Sequence, residues 1–233
     1  AELEIGQFPT FGDFFTRRLR PGARPIAPGD DVVVSPTDGL VAAVGTSVEG
    51  RLVQVKGREY SVAALLDDPD ESKRFEGGAY CTIYLAPRDY HRIHSPVAGE
   101  VEKLAYIPGE LWPVNPPAVR SVPNLFAVNE RLISYVASPV GRVAVVKVGA
   151  TCVGRIRATY DDVVTNSGGS RLKKEYEQKP KVEKGGELGV FEMGSTVILL
   201  FEPGRVALDE ALVEGTVVRM GQAIGKGKLG NGK

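Results

Sequence analysis

Two histidines are all that this 233-residue chain contains, and they stand three positions apart, His91 and His94 in the run PRDYHRIHSP. Imidazole is the side chain whose ordinary pKa makes it a proton carrier near neutral pH, so any histidine acid-base chemistry here belongs to this pair. A hundred residues downstream, FEMGSTVILLF places Ser195 between Gly194 and an apolar run from Val197 to Phe201. A serine hydroxyl beside a positioned imidazole is the unit of nucleophilic catalysis. A third candidate is the carboxylate of Asp38 in Ser35-Pro36-Thr37-Asp38-Gly39. Each motif alone has a plain reading. A Gly-Ser-Thr triplet commonly opens a strand, and the Asp38 segment reads as a β-turn in which Gly39 takes positive φ. A metal bound by His91 and His94 would need a third or fourth ligand, and no further histidine exists.

The elements that must hold these residues are mostly short β-branched runs. Strands are predicted over 32–35, 40–46, 52–56, 80–86, 97–107, 132–137, 142–148, 152–160, 187–191, 196–201 and 216–220. Gly-containing turns such as Glu49-Gly50 and Val140-Gly141 separate some of them. Thr10 caps a helix whose apolar residues Phe11, Phe14, Phe15 and Leu19 share one face, ending before Pro21-Gly22. A second short helix covers 61–66. The fold class is therefore mainly β, a β-dominated α+β arrangement of short strands in packed sheets, with lipoyl-like β features and a few short helices. Residues 161–186, with Asn166-Ser167-Gly168-Gly169-Ser170 and then a charged run, read as a flexible solvated loop, and the tail from Gly225 to Lys233 as frayed.

Length and an ordinary apolar content of 42% predict one domain over 1–233 with a sizeable core. Basic and acidic residues balance at 29 each, which gives no support to nucleic-acid binding. Arg17, Arg18, Arg20 and Arg24 do cluster beside Phe8, Phe11, Phe14 and Phe15, a combination that either packs locally or meets an anionic membrane surface. Cys81 and Cys152 match no metal or redox spacing and read as buried small apolar residues in a reducing compartment. No stretch approaches the length needed to cross a bilayer, and AELEIGQF lacks the layout of a secretory signal. The sequence begins with alanine, and an anchor ahead of it would not be visible here.

Taken together and in order, the segments resemble the phosphatidylserine decarboxylase family from about Thr10 to Gly221. The resemblance is carried by TFGDFFTRRLRPGARPI, SPTDG, VKGREYSVAALL, YLAPRDYHRIHSP, VPNLFAVNERLI, KVGATCVG and KGGELGVFEMGSTVILLFEPG. Met193 stands where the family commonly has leucine, a swap of similar volume. The N-terminal amphipathic region that members often carry is absent from these residues.

That resemblance implies a self-processing enzyme whose cofactor is a pyruvoyl group made from Ser195, with no metal and no pyridoxal phosphate. Asp38 is expected to orient His94, and His94 to take the hydroxyl proton of Ser195. The oxygen attacks the Gly194 carbonyl carbon, the peptide becomes an ester, and elimination leaves dehydroalanine that hydrolyses to pyruvoyl. The single catalytic domain would thus mature into a β subunit, 1–194, and an α subunit, 195–233. Pyruvoyl forms a Schiff base with the substrate amine and accepts the electrons released with carbon dioxide. His91 is the candidate acid that returns a proton to the substrate carbon, with Tyr90 or a water as alternatives.

The implied substrate is phosphatidylserine and the product phosphatidylethanolamine. The implied partners are an anionic membrane, touched peripherally at the cytoplasmic side of the cell membrane, and a second αβ protomer in a homodimer. Leu111, Trp112, Pro113 and Val114 with Pro116-Pro117 either form a membrane-facing loop or pack inward. Asn124, Asn129 and Arg131 either hold the headgroup phosphate or brace a turn. Three other readings compete: pyruvoyl-dependent decarboxylation of a free amino acid such as tryptophan, a non-catalytic lipoyl-like carrier or binding domain, and a serine hydrolase built from Ser195, His94 and Asp38.

Overall fold

The computed structural model describes residues 1–55, 58–151, 155–192 and 195–229, with the backbone alone described at Ser195. Its strands are β1 Val32–Val34, β2 Gly39–Thr46, β3 Arg51–Val55, β4 Arg58–Ser61, β5 Ala79–Leu85, β6 Arg92–His94, β7 Gly99–Ile107, β8 Arg131–Ser138, β9 Gly141–Val148, β10 Ile156–Ala158, β11 Leu172–Glu175, β12 Lys181–Val182, β13 Glu187–Phe191, β14 Ser195–Phe201, β15 Val206–Leu208, β16 Val217–Val218 and β17 Ala223–Gly227. The short helices are α1 Phe11–Phe15, α2 Val62–Leu66, α3 Pro69–Phe75, α4 Pro116–Ser121 and α5 Leu125–Val128. The fold is mainly β, as the alternating apolar runs predict.

One nine-stranded antiparallel sheet dominates, in the order β11-β7-β8-β9-β14-β5-β2-β16, with β12 also paired to β7. β14 lies inside this sheet because its run of apolar residues has two covered faces. Val197, Leu199 and Phe201 enter one core cluster, while Ile198 and Leu200 enter the other. The first cluster also takes Ile93 of β6, Ile156 of β10 and Leu188 of β13, which form a three-stranded sheet, and Val33 and Ile224 from a second small sheet, β1-β17-β15. The other cluster is roofed by Leu65, Leu66, Phe75, Val119 and Phe126 from α2 to α5.

The helices follow local capping chemistry. Thr10 caps α1 by accepting the Asp13 N–H at 3.1 Å, but α1 stops at Phe15 instead of reaching Leu19. Its last turn closes when Thr16 returns both N–H and hydroxyl to Gly12 O. The helix expected over 61–66 is α2, with Ser61 standing just outside it as the cap, accepting the Ala64 N–H. α3 and α4 go beyond the two helices expected from the sequence; Asp68-Pro69 and Asn115-Pro116 are each a capping residue followed by proline at the first helical position.

Residues 161–186 are not one unbroken loop. β11 and β12 within them pair with β7, and Lys173 reaches Asp68 at 3.1 Å. β11 was hidden because all four of its residues are exposed and polar or edge-facing, so no burial pattern marks it. Likewise β17 extends to Gly227, so the first part of the expected frayed tail is paired with β1 and β15. β4, β6 and β15 also escaped notice, being four residues long or fewer.

A charged side chain lies among these apolar layers. Lys147 on β9 is fully buried, its Nζ 2.7 Å from Ser134 Oγ, which in turn lies 2.5 Å from Tyr160 Oη. Burial lowers its pKa from 10.5 to about 7.

Candidate functional site

The site is built where β6 meets the turn leading into β2. Ser35 Oγ donates to Thr37 O at 2.7 Å, Thr37 Oγ1 to Tyr90 O at 3.2 Å, and His94 N to Pro36 O at 2.8 Å. These bonds stitch the Asp38 turn to the histidine segment. Gly39 does not take the positive φ expected of it. Its glycine is required by crowding, because a Cβ there would lie 2.5 Å from Tyr84 O and 2.7 Å from Ile83 Cγ2.

His94 is buried, and both ring nitrogens are engaged. Nδ1 lies 2.7 Å from Gly185 O, which as a carbonyl can only accept, so the proton sits on Nδ1. Nε2 therefore carries the lone pair and accepts from Tyr90 Oη at 3.0 Å. Burial lowers the His94 pKa from its usual value, opposed by the Gly185 bond and the charge of Glu187. The ring is neutral near pH 7 and suited to act as a base once Tyr90 turns away.

His91 is more enclosed. Its Nδ1 lies 2.8 Å from Asp89 O, and the Phe15 ring covers it at 3.8 Å between centroids. Nε2 has no partner among the described residues although it is buried. Burial is the leading cause of a pKa lowered to about 4. An unpaired nitrogen of this kind is costly unless it has a use.

Asp38 does not touch His94 directly. Its oxygens take Arg24 Nη2 and Arg24 Nε, the latter at 2.8 Å, and Met220 N at 2.9 Å. The direct Asp38–His94 hydrogen bond is thus replaced by an anchor for the N-terminal arm, while Asp38 still acts on His94 through its charge. In the sequence Arg24 is one member of a basic cluster, and no spacing rule singles it out. Arg92 joins the same arm, bonding Thr16 O at 2.9 Å and Glu187 at 2.8 Å.

The backbone brings the serine segment close to His91. Phe191 N donates to His91 O at 3.0 Å, whereas His94 pairs with Glu187 further up β13. Four residues after Phe191, Ser195 begins β14 opposite Leu85 of β5. Met193 and Gly194 lie outside the described residues, as do Cys152 and the side chain of Ser195, so the expected His94–Ser195 contact is not among the described ones. Cys81 is buried, and burial pushes its thiol up to about 12.

The expected substrate contacts separate. Tyr90 is on the site. Arg131 is not available to a headgroup: it is 3% exposed, and its guanidinium donates to Leu65 O, Ala64 O and Asn129 O, bracing the end of α2. Asn129 is equally spent, holding Trp112 N and O and Gly149 O. Asn124 is exposed and starts α5 in the left-handed region at φ 54°. Trp112 is 48% exposed and belongs to neither core cluster. Pro116 and Pro117 belong to α4. No group of three potential metal ligands occurs among the described residues.

The described residues thus place two buried imidazoles at β6 and the turn before it, with the backbone of Ser195 opening β14 in the central sheet of a β-dominated fold. Residues 11–226 match the family model described as phosphatidylserine decarboxylase, and the chain belongs to this family. It is 57% identical over 225 residues to a protein of Myxococcus xanthus named phosphatidylserine decarboxylase proenzyme, covering 97% of this chain and 80% of that relative. Proteins of the same name from Anaeromyxobacter sp. and Brevibacillus brevis are 56% and 46% identical, covering 95% and 96% of this chain and 80% and 81% of theirs.

Proposed function

We propose that the chain is the precursor of a phosphatidylserine decarboxylase that cuts itself between Gly194 and Ser195. The observation that carries the reading is family membership along nearly the whole chain, with both histidines, Asp38 and the Gly-Ser pair in place. The decarboxylase converts phosphatidylserine to phosphatidylethanolamine and carbon dioxide. The relatives' shared name gives no support to the amino-acid decarboxylase, carrier or hydrolase readings.

In maturation, His94 Nε2 exchanges its Tyr90 bond for the Ser195 hydroxyl and removes the proton. The oxygen attacks the Gly194 carbonyl carbon and the peptide C–N bond breaks, giving an ester and a free amine. Loss of the Ser195 α-hydrogen expels the Gly194 carboxylate, and water then converts the dehydroalanine to pyruvoyl with release of ammonia. Products are the subunits 1–194 and 195–233. The turn has to impose the angle of attack, because the reacting groups are already neighbours in sequence.

The pyruvoyl group supplies an electrophilic carbonyl that takes up the substrate amine and withdraws the electron pair left by carbon dioxide. The described residues fit it: the unpaired Nε2 of His91 is a buried polar atom in want of a partner, beside the segment that leads to Ser195. With its own proton on Nδ1 against Asp89 O, His91 offers a free lone pair at Nε2, which takes up a proton and passes it to the substrate carbon, and the Phe15 ring covers the imidazole. The enzyme works at the cytoplasmic side of the cell membrane as a peripheral homodimer, with half-exposed Trp112 in the lipid-facing surface.

Denaturing electrophoresis with intact mass tests the first step. Two fragments and a hydrazine-reactive carbonyl on the smaller one are expected, and an unbroken chain in Ser195→Ala. A wild-type chain that stays whole would refute the reading. Assay of phosphatidylserine beside free tryptophan then decides the substrate.

A further inference from the structure

Between the N-terminal arm, the 86–90 turn and β16 lies a cavity of about 440 Å³, with Arg17, Arg24, Arg88 and Arg219 facing Asp38 and Asp89. Four guanidinium groups thus meet two carboxylates, and the carboxylates are already engaged. Asp38 holds Arg24 and Met220 N, and Asp89 accepts the Ala86 N–H at 2.8 Å. Among the described residues, Arg17 donates only to backbone carbonyls, those of Phe14, Arg88 and Asp89. Arg88 and Arg219 are exposed, and among the described residues neither guanidinium is paired with a carboxylate. A partly enclosed cavity with this excess of donors attracts an anion, and planar guanidinium groups favour one with several oxygens.

The cavity's position identifies the anion. Val217, Leu40, Tyr84 and Thr196 are successive register partners across β16, β2, β5 and β14. Gly39, which lines the cavity, therefore lies about two strand spacings, roughly 10 Å, from the Ser195 backbone. A serine-phosphate linkage and an arginine side chain, placed end to end, span a gap of that order. On the other side of the β16 edge, Leu40, Val55, Tyr84, Val114 and Val119 line an apolar groove of about 160 Å³. Val217, 69% exposed, lines the arginine cavity and pairs with Leu40, which lines the groove.

We propose that the arginine cavity seats the phosphodiester of a phospholipid, with Arg88 and Arg219 as its free donors and an acyl chain crossing Val217 toward the apolar groove. As an account of substrate binding, this rests on the lipid decarboxylase reading above. Phosphate contact here sets affinity and headgroup placement, and leaves the proton chemistry at His91 and His94 untouched.

The test uses the double variant R88Q/R219Q. Self-cleavage should be as complete as in the wild type, which shows that the fold is intact. For soluble short-chain phosphatidylserine, KM should rise about tenfold or more while kcat stays within about twofold, as expected for lost charge-assisted bonds. Glycerol phosphate should compete in the wild type and lose potency in the variant. A second measurement does not depend on activity: titration of the uncleaved Ser195→Ala chain with monomeric short-chain phosphatidylglycerol, which should bind at least about fivefold more weakly when both arginines are replaced. Equal binding in that titration would overturn the seat, whatever happens to decarboxylation. An unchanged KM combined with weaker attachment to phosphatidylglycerol vesicles would overturn it too, and assign the arginines to general membrane attraction. A wild type that binds phosphatidylglycerol but decarboxylates no lipid would refute the substrate reading and leave the anion seat standing.

Discussion

Replacing Lys147 by methionine should make the folded chain more stable, and the gain should shrink as pH rises. The ammonium is completely buried on β9 with Ser134 Oγ as its main partner, and its pKa falls from 10.5 to about 7. At about 1.4 kcal/mol per tenfold, that difference corresponds to a ceiling of about 5 kcal/mol for holding the proton in the folded state. The sign follows from proton counting. Between pH 7 and 10.5 the unfolded lysine binds a proton that the folded one has released, so stability climbs with pH across this window. Below pH 7 both forms are charged and the full penalty stands. Methionine fills a similar volume without a charge and leaves Ser134 bonded to Tyr160 Oη. Urea unfolding of the single-chain Ser195→Ala form at pH 6, 8 and 10 measures the effect. An advantage of about 2–5 kcal/mol for Lys147→Met at pH 6, falling toward zero by pH 10, is expected. An advantage that is absent, or the same at all three values, refutes the argument.

Self-cleavage should hold its rate further into acid than an ordinary histidine would allow, because burial lowers the His94 pKa and the neutral ring persists. Tyr90→Phe removes a donor to neutral Nε2, so it should shift that acid limb upward and still permit cleavage; stopped-time electrophoresis over pH reads both effects. Asp38→Ala should leave the chain whole, whereas Arg24→Gln should cleave while melting a few degrees lower, since Asp38 acts on His94 by charge and needs no Arg24 contact for that. Gly39→Ala should cost about 1–3 kcal/mol in urea unfolding, because the new Cβ meets Tyr84 O at 2.5 Å.

Much of this architecture is readable from residue patterns, and the parts that are not share a cause. β2, β5, β7, β8, β9 and β14 show in the sequence because each buries β-branched or aromatic residues. β11 is polar and edge-bound, and β6 is only three residues long, so both depend on partners far along the chain. Among site residues, the two histidines and the Gly-Ser pair stand out by type and rarity. The partner of Asp38 does not, because the Arg24 bond joins two loops whose approach is fixed only by the sheet between them. Arg131 misled for the opposite reason: an arginine suggests an anion, yet here its stem is buried and its head serves the carbonyl groups of α2. The helices α3 and α4 are marked in the sequence only by Asp68-Pro69 and Asn115-Pro116, signals weaker than those of the strands around them.

β14 is bonded along both its edges, to β5 and β9, while the residues that follow it supply β16 to the same sheet and β15 and β17 to another. A break just ahead of Ser195 would therefore free a chain end without freeing a piece. The short fragment would remain threaded through the long one, and parting them would mean unravelling two sheets at once. Before the break, refolding involves one chain and does not depend on concentration; after it, reassembly needs two molecules to find each other. Maturation would then act as a ratchet, trading the ability to refold for a functional terminus.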